Sequence, residues 1–275
     1  MTSALVRVED LSVSFPGNRS TGRRAGGHET VAAVSGVDLT IGRGEFVSLI
    51  GPSGCGKSTV LRVIAGLQVP TAGAVTFDGT GFLAGDVAGG QVPSGGLRPT
   101  ALMPQSDCLL PWRRALPNAL IGARVAGNLT PAVRAEAAEL FVDFGLGGFE
   151  RSWPRELSGG MRQRLALLRT VLTGRPILLL DEPFAALDPI LRRQLNRWLA
   201  GIWAAQQRTT VLVTHDVEEA MLLSDRILVM SPRPGRIIAE FRPDREIPSI
   251  ESGGSQTPDH GRDAVMRAEI LDALG

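Results

Sequence analysis

The chain has 275 residues, 43% of them hydrophobic and 21% charged, with 29 Lys and Arg against 28 Asp and Glu for a net charge of +1. That length suits one large domain or a domain with a small subdomain, and the composition excludes the disordered, collagen-like and disulfide-scaffold classes. Near-neutrality argues against a broad electrostatic nucleic-acid surface, so no nucleic-acid partner is expected.

The apolar residues Leu5, Val8, Leu11, Val13 and Phe15 predict a first strand. Residues 37–41 predict a second, and the turn Gly42-Arg-Gly44 leads into a third over 45–50. This opening has the pattern of an antiparallel β subdomain. Residues 16–29 are rich in Gly and Arg without periodicity, and read as an exposed excursion whose Arg19, Arg23 and Arg24 face water or else touch a phosphate. After Ile50 comes a Gly-rich turn and a helix over 58–67, with Val60, Leu61, Ile64 and Leu67 on one face. Residues 79–99 form another Gly/Pro-punctuated loop before a short strand at 100–103. Helices follow over 115–126 and 131–144, the second with Thr130 as N-cap and Pro131 at its first position. This middle block, about 106–156, is a candidate inserted helical subdomain.

From Ser158 onward helices and strands alternate. A helix over 158–173 precedes an apolar strand at 177–180, and a helix from Pro189 carries a stripe of Leu191, Leu195, Trp198, Leu199 and Ile202. A strand at 210–213, a short helix opened by Asp216 with Glu219 placed as in a capping box, and a strand at 227–230 complete the series. Such alternation predicts a parallel sheet with helices on both faces. Residues 243–261 read as linker and 262–274 as a small terminal helix. No apolar run approaches the roughly 20 residues that span a bilayer. The first ten residues lack the basic-then-apolar layout of a signal peptide, so the chain is expected to stay in the cytoplasm. Cys55 and Cys108 lack the spacing of a disulfide framework or zinc site and are expected to be small packing residues.

Tyr is absent, and among the 29 cationic residues Lys57 is the one lysine. It falls in Gly51, Pro52, Ser53, Gly54, Cys55, Gly56, Lys57 and Ser58, which fit the phosphate-loop pattern between a strand and a helix. Glycines let backbone N–H groups converge on phosphate oxygens, and a helix N-terminus adds partial positive charge. Lys57 would reach the β- and γ-phosphates as a compact point charge, with Ser58 offering a hydroxyl to Mg²⁺ and Thr59 following in the helix. Downstream, the apolar run 177–180 ends in Asp181 and Glu182, which places two carboxylates at the carboxyl edge of the sheet. Asp181 would hold Mg²⁺ through its waters and Glu182 would orient or deprotonate the attacking water. Leu157-Ser-Gly-Gly-Met-Arg-Gln-Arg164 supplies a second Ser-Gly-Gly turn at a helix start, hence a second anion site or an ordinary Ser N-cap.

Taken together these stretches resemble the ATPase subunit of ATP-binding cassette (ABC) transporters over about residues 3–242. The resemblance implies a P-loop NTPase (RecA-like) α/β core with a mostly parallel sheet, an N-terminal antiparallel β subdomain and an inserted helical subdomain, followed by a 243–275 linker and helix. It implies ATP and Mg²⁺ as cofactors and a head-to-tail dimer in which Ser158, Gly159 and Gly160 close over the ATP of the second copy. Gln105 matches the glutamine loop that senses Mg²⁺ and the membrane partner. Asp188 matches the loop that crosses the dimer, His215 the switch histidine at the γ-phosphate, and Phe15 the ring stacked on adenine. Met161 departs from the pattern, standing where the signature often has Gln, and residues 16–29 are longer than usual.

Leu109-Leu-Pro-Trp-Arg113, Asp181-Glu-Pro-Phe-Ala-Ala-Leu-Asp188 and Ser231-Pro-Arg-Pro-Gly-Arg-Ile237 are similar to the bacterial import ATPases for nitrate, sulfonate and taurine, including relatives that import thiamine-precursor pyrimidines. This similarity implies membrane permease subunits as partners, a periplasmic solute-binding protein acting indirectly, and a peripheral place on the cytoplasmic face of the inner membrane. Trp112 then lines a groove for a permease helix, or else packs inside the helical subdomain. Open alternatives are a soluble cassette ATPase of DNA repair or translation, a P-loop small-molecule kinase and a degenerate scaffold.

Overall fold

The computed structural model of the chain describes residues 4–16, 30–78, 80–83, 99–185, 187–206, 208–243 and 260–275. The excursion with Arg19, Arg23 and Arg24, residues 84–98, Ala186 and the 244–259 linker lie outside the described residues.

The alternation that begins at Leu5 runs as β1 (Ala4–Pro16) and pairs antiparallel with β2 (Thr30–Gly42), Val8 opposite Leu39 and Phe15 opposite Val31. β2 is longer than the predicted 37–41 strand, because Gly36 at φ 60° interrupts its alternation and hides the first half. Two further strands, β4 (Ala72–Phe77) and β5 (Thr80–Leu83), complete a sheet in the order β2-β1-β4-β5. The expected loop over 79–99 is thus corrected at its start. Gly73 obscures β4 in sequence, yet it is there for packing: a Cβ would lie 2.4 Å from the carbonyl oxygens of Glu9 and Asp10.

The second sheet is built around β3 (Phe46–Ile50), all of whose residues are buried, with β6 (Thr100–Met103), β7 (Ile177–Asp181), β8 (Thr209–Val213), β9 (Arg226–Met230) and β10 (Ile237–Phe241). Its order is β10-β9-β3-β8-β7-β6, parallel from β9 to β6. β10 pairs antiparallel with β9, so the sheet is mostly parallel, as expected, with one antiparallel edge. Successive residues of β7 serve two cores, as a period of two requires. Ile177 and Leu179 join the apolar layer against β1, β2 and α1 (Lys57–Ile64), while Leu178 and Leu180 join the layer of α5 (Gly159–Val171) and α6 (Pro189–Gln206). Each fully buried Leu contributes about 1.5–3 kcal/mol over its exposed form.

α1 ends at Ile64 rather than continuing to Leu67, which is exposed beyond Gly66 at φ 67°. The predicted 115–126 helix is two short ones, α2 (Ala115–Ala119) and α3 (Ile121–Val125), meeting at Leu120. Pro117 and Gly122 weaken the span, and Gly122 lets α3 approach Thr173, whose Cγ2 would lie 2.6 Å from an added Cβ. α4 (Pro131–Asp143) is capped as predicted, Val133 N–H donating to Thr130 Oγ1 at 3.2 Å. In the α6 stripe Leu195 and Leu199 are buried and Leu191 half-buried, whereas the side chains of Trp198 and Ile202 lie outside the described residues. α7 (Val217–Leu223) and the terminal α8 (His260–Leu274) pack together over β9 and β10, with Ile270 fully buried between them. Cys55 is buried as expected. Cys108 is not a packing residue: it is exposed at φ 45°, 3.1 Å from the Ser106 hydroxyl.

Candidate functional site

Parallel register gathers the site. Leu49 pairs with Val213, Asp181 with Val213, and Met103 with Leu180, so β3, β8, β7 and β6 end at the same edge. Those ends deliver, in turn, the 51–59 loop, Thr214 and His215, Asp181 and Glu182, and Gln105. Ligands of open α/β sheets bind at this carboxyl edge.

In the loop, Gly56 stands at φ 110° as the α1 N-cap, with no side chain to cap the helix. A Cβ there would lie 2.6 Å from Val34 Cγ2 and 2.8 Å from the Ala33 carbonyl, and one on Gly51 would lie 2.8 Å from the Met230 carbonyl. The first amides of α1, from Lys57, Ser58 and Thr59, have no intrahelical acceptor and form an anion-binding end. Pro52 is half-buried, and Ser53 and Gly54 are exposed at the rim. The Lys57 ammonium is buried and donates to the carbonyls of Gly51 at 2.7 Å and Pro52 at 3.0 Å, curling the loop around itself. The loop is supported from behind by Gly235, whose N–H donates to Ala33 O at 2.9 Å; a Cβ on Gly235 would sit 2.0 Å from the Cys55 carbonyl.

Ser58 Oγ donates to Asp181 Oδ1 at 2.8 Å. Burial pushes the Asp181 carboxyl above its ordinary range, opposed by the Ser58 hydrogen bond and the positive charge of Arg62. A carboxylate in that position gains from a cation. Among the described residues no group of three or more His, Cys, Asp or Glu forms a metal cage. A hydroxyl beside one carboxylate fits an ion such as Mg²⁺, which fills its remaining positions with phosphate oxygens and water.

Glu182 follows Asp181 at φ 47°, a left-handed backbone that costs a non-glycine residue energy and marks functional sites. Its carboxylate accepts from Gln105 Nε2 at 3.0 Å and lies 3.6 Å from His215 Nδ1. Three of the residues predicted as catalytic therefore converge beside the Ser58–Asp181 pair. Gln105 also accepts on its carbonyl from Gln163 at 3.4 Å, which connects it to α5.

Other predicted residues stand apart. Ser158 caps α5 with its hydroxyl, accepting from Met161 N at 3.2 Å, and with Gly159 it is exposed; among the described residues no hydrogen bond joins them to the Lys57 loop. Gly160 is buried where a Cβ would meet Leu191 at 2.5 Å. Asp188 caps α6, accepting from the amides of Ile190 and Leu191 at 3.1 and 3.0 Å. Phe15 is 38% exposed at the β1 tip beside the equally exposed Val31. Trp112 is 70% exposed, which excludes its reading as internal packing.

Sequence reasoning missed the groups that hold these loops. Asp216 caps α7 as predicted, accepting from Glu218 and Glu219 amides at 3.0 and 3.2 Å, but Glu219 does not complete a capping box. Its carboxylate turns inward and accepts from the Thr214 hydroxyl, because Thr214, at the end of β8, lies directly beneath the first turn of α7. Asn118 is buried and fastens the segment bearing Trp112, accepting from Leu110 N at 2.8 Å and donating to the carbonyls of Leu110, Arg113 and Arg114 at 3.1, 2.8 and 3.2 Å.

A glycine loop opening from an inner strand of a mostly parallel sheet, with a hydroxyl and carboxylate paired at its mouth, defines a P-loop nucleoside triphosphatase. The ABC transporter family profile matches residues 34–185. The chain is 44% identical over 241 residues to the aliphatic sulfonates import ATP-binding protein SsuB 1 of Rhodococcus jostii, covering 86% of this chain and 85% of that one. It is 40% identical over 209 residues to the taurine import ATP-binding protein TauB of Burkholderia pseudomallei, covering 76% of each. Among solved structures, the bacterial ABC transporter cassette MJ0796, determined as a dimer, superposes with a TM-score of 0.69 at 28% identity over 86% of this chain and 98% of that chain. The same cassette has been solved in a post-hydrolysis state with ADP and Pi. The chain belongs to the ABC transporter family and is an ATP-binding, ATP-hydrolysing subunit of it.

Proposed function

We propose that this chain powers import of a small sulfonate-bearing solute of the aliphatic sulfonate or taurine class through separate membrane subunits. The observation that carries the site reading is the convergence of Gln105 and His215 on Glu182, beside the Ser58–Asp181 pair and the Lys57 loop. The names of the relatives, import ATP-binding proteins for aliphatic sulfonates and taurine, support the solute class. Among the described residues no helix is long and apolar enough to cross a membrane, so the path for the solute belongs to partner permease subunits. The chain then works at the cytoplasmic face of the inner membrane, and a periplasmic binding protein selects the solute. Residues 3–242 act as the ATPase domain, with 106–156 as the helical insert and 243–275 as an appended linker and helix.

Mg²⁺, held by Ser58 and by Asp181 through water with Gln105 nearby, would neutralise charge on the β- and γ-phosphates. Lys57 and the amides from Gly54 to Thr59 bind the triphosphate, and Phe15 stacks on the adenine. Glu182 orients a water in line with the γ-phosphorus and takes its proton, while His215 contacts the γ-phosphate. Ser158 and Gly159, exposed at the start of α5, and the buried Gly160 behind them form an anion site that closes over the ATP of a head-to-tail second copy. Two ATP molecules then close the dimer and hydrolysis reopens it.

Glu182→Gln should accumulate as an ATP-bound dimer in size-exclusion chromatography with Mg-ATP. Lys57→Ala should weaken ATP binding about 10- to 100-fold, the loss of a charge-assisted contact. A Glu182→Gln chain that remains monomeric at saturating Mg-ATP overturns the clamp. Uptake by vesicles containing the permease pair, driven by sulfonates but not by unrelated solutes, tests the cargo.

A further inference from the structure

We infer that Arg192 is a positioning residue that makes the loop after Glu182 and the loop carrying His215 move as one body. The inference rests on the reading of His215 as the γ-phosphate contact. Arg192 stands in the first turn of α6, where the helix dipole disfavours a cation. Its guanidinium is committed elsewhere. Nε donates to Phe184 O at 3.2 Å, Nη2 to Ala185 O at 3.2 Å and Leu187 O at 3.1 Å, and Nη1 to Asp216 Oδ2 at 3.3 Å. The carbonyl acceptors all lie between Glu182 and Asp188, whereas Asp216 directly follows His215. The other Asp216 oxygen caps α7, so the residue after the histidine is held from both sides.

One planar fork thus spans two chain segments that no strand pairing joins to each other beyond Asp181 and Val213. A lysine could not reproduce it, since an ammonium lacks the fixed divergence of donors needed for acceptors on separate loops. Any displacement at Asp188, the residue expected to face the second copy, is carried through Arg192 to Asp216 and so to His215. Arrival of a partner and placement of the γ-phosphate contact become a single event.

The test uses the full chain and the variants Arg192→Lys, Arg192→Ala, Asp216→Asn and Arg192→Ala/Asp216→Asn. Asn still caps a helix but removes the charge. The readouts are kcat and KM for Mg-ATP, and the ¹³C-labelled His215 ring resonance, assigned by its loss in His215→Ala. Both Arg192 substitutions should lower kcat about 10- to 100-fold with KM within about twofold, as expected for misplacement of groups that act only in the transition state. The double variant should fall no more than about twofold below Arg192→Ala alone, and the His215 resonance should shift in both. Arg192→Lys with wild-type kcat and an unmoved His215 signal, beside an inactive His215→Ala, overturns the inference alone. A fully active His215→Ala overturns the reading of that histidine and the inference with it.

Discussion

Replacing Glu219 with Gln should change how stability depends on pH more than it changes stability at any one pH. Glu219 is 4% exposed, and its Oε1 has no hydrogen-bond partner among the described residues. Burial above all pushes its carboxyl from 4.5 up to about 7, with Asp216 and Glu182 adding to the rise and the Thr214 hydroxyl and Arg192 opposing it. Between those values the folded chain holds a proton that the unfolded chain has released, so stability falls as pH rises through the window. At about 1.4 kcal/mol per unit the whole shift amounts to about 3 kcal/mol, most of it expressed between about pH 5 and pH 8. Gln cannot ionise. Its amide nitrogen, placed where Oε1 lacks a partner, costs about 1–3 kcal/mol, but equally at every pH. Urea unfolding of both proteins from about pH 5 to 8 should therefore show the Gln variant gaining about 2–3 kcal/mol on the wild type as pH rises. Parallel profiles, with a gap constant to within about 0.5 kcal/mol, would refute the assignment of a buried proton to this group.

Gly56→Ala forces a Cβ to 2.6 Å from Val34 at φ 110°, so nucleotide affinity measured by titration calorimetry should fall at least about tenfold even where the chain remains folded. Asn118→Ala removes a buried group that fastens the Trp112 segment, and should cost about 2–4 kcal/mol in urea unfolding. Ile270→Ala opens a cavity between α7 and α8; a loss of about 2–4 kcal/mol is expected, with early amide exchange confined to α8. Trp112→Ala should leave stability within about 0.5 kcal/mol of wild type and basal ATP turnover intact, while lowering ATP-driven uptake in vesicles containing the permease pair.

The site's backbone was legible because its chemistry is local. A glycine loop around Lys57, two carboxylates after an apolar run, and a histidine just past a strand are contiguous patterns, and parallel register brings them together. Glu219 and Arg192 were not legible for the opposite reason. A Glu three residues past Asp216 has the spacing of a cap, and only the position of Thr214 under α7 turns it inward. Arg192 offers one hint in sequence, a cation in a first helical turn, but its acceptors are carbonyls, which carry no residue identity. The missing strands fail on glycine. Gly36 and Gly73 serve close packing and left-handed backbone, yet in one dimension they look like punctuation. β10, an edge strand with every other residue facing water, is too short for its alternation to stand out.

The Trp112 segment is held from below by Asn118 and from the side by α5, where Arg169 donates to the carbonyls of Asp107 and Cys108 at 2.7 Å each and Arg162 pairs with Asp107 at 3.0 Å. Its shape is set when the chain folds, and whatever settles on the indole meets a stiff strut rather than a slack tether. Arg162 lies one turn from Ser158 and Arg169 near the opposite end of α5, so a single helix ties the strip leading to the indole to the serine at its own first turn.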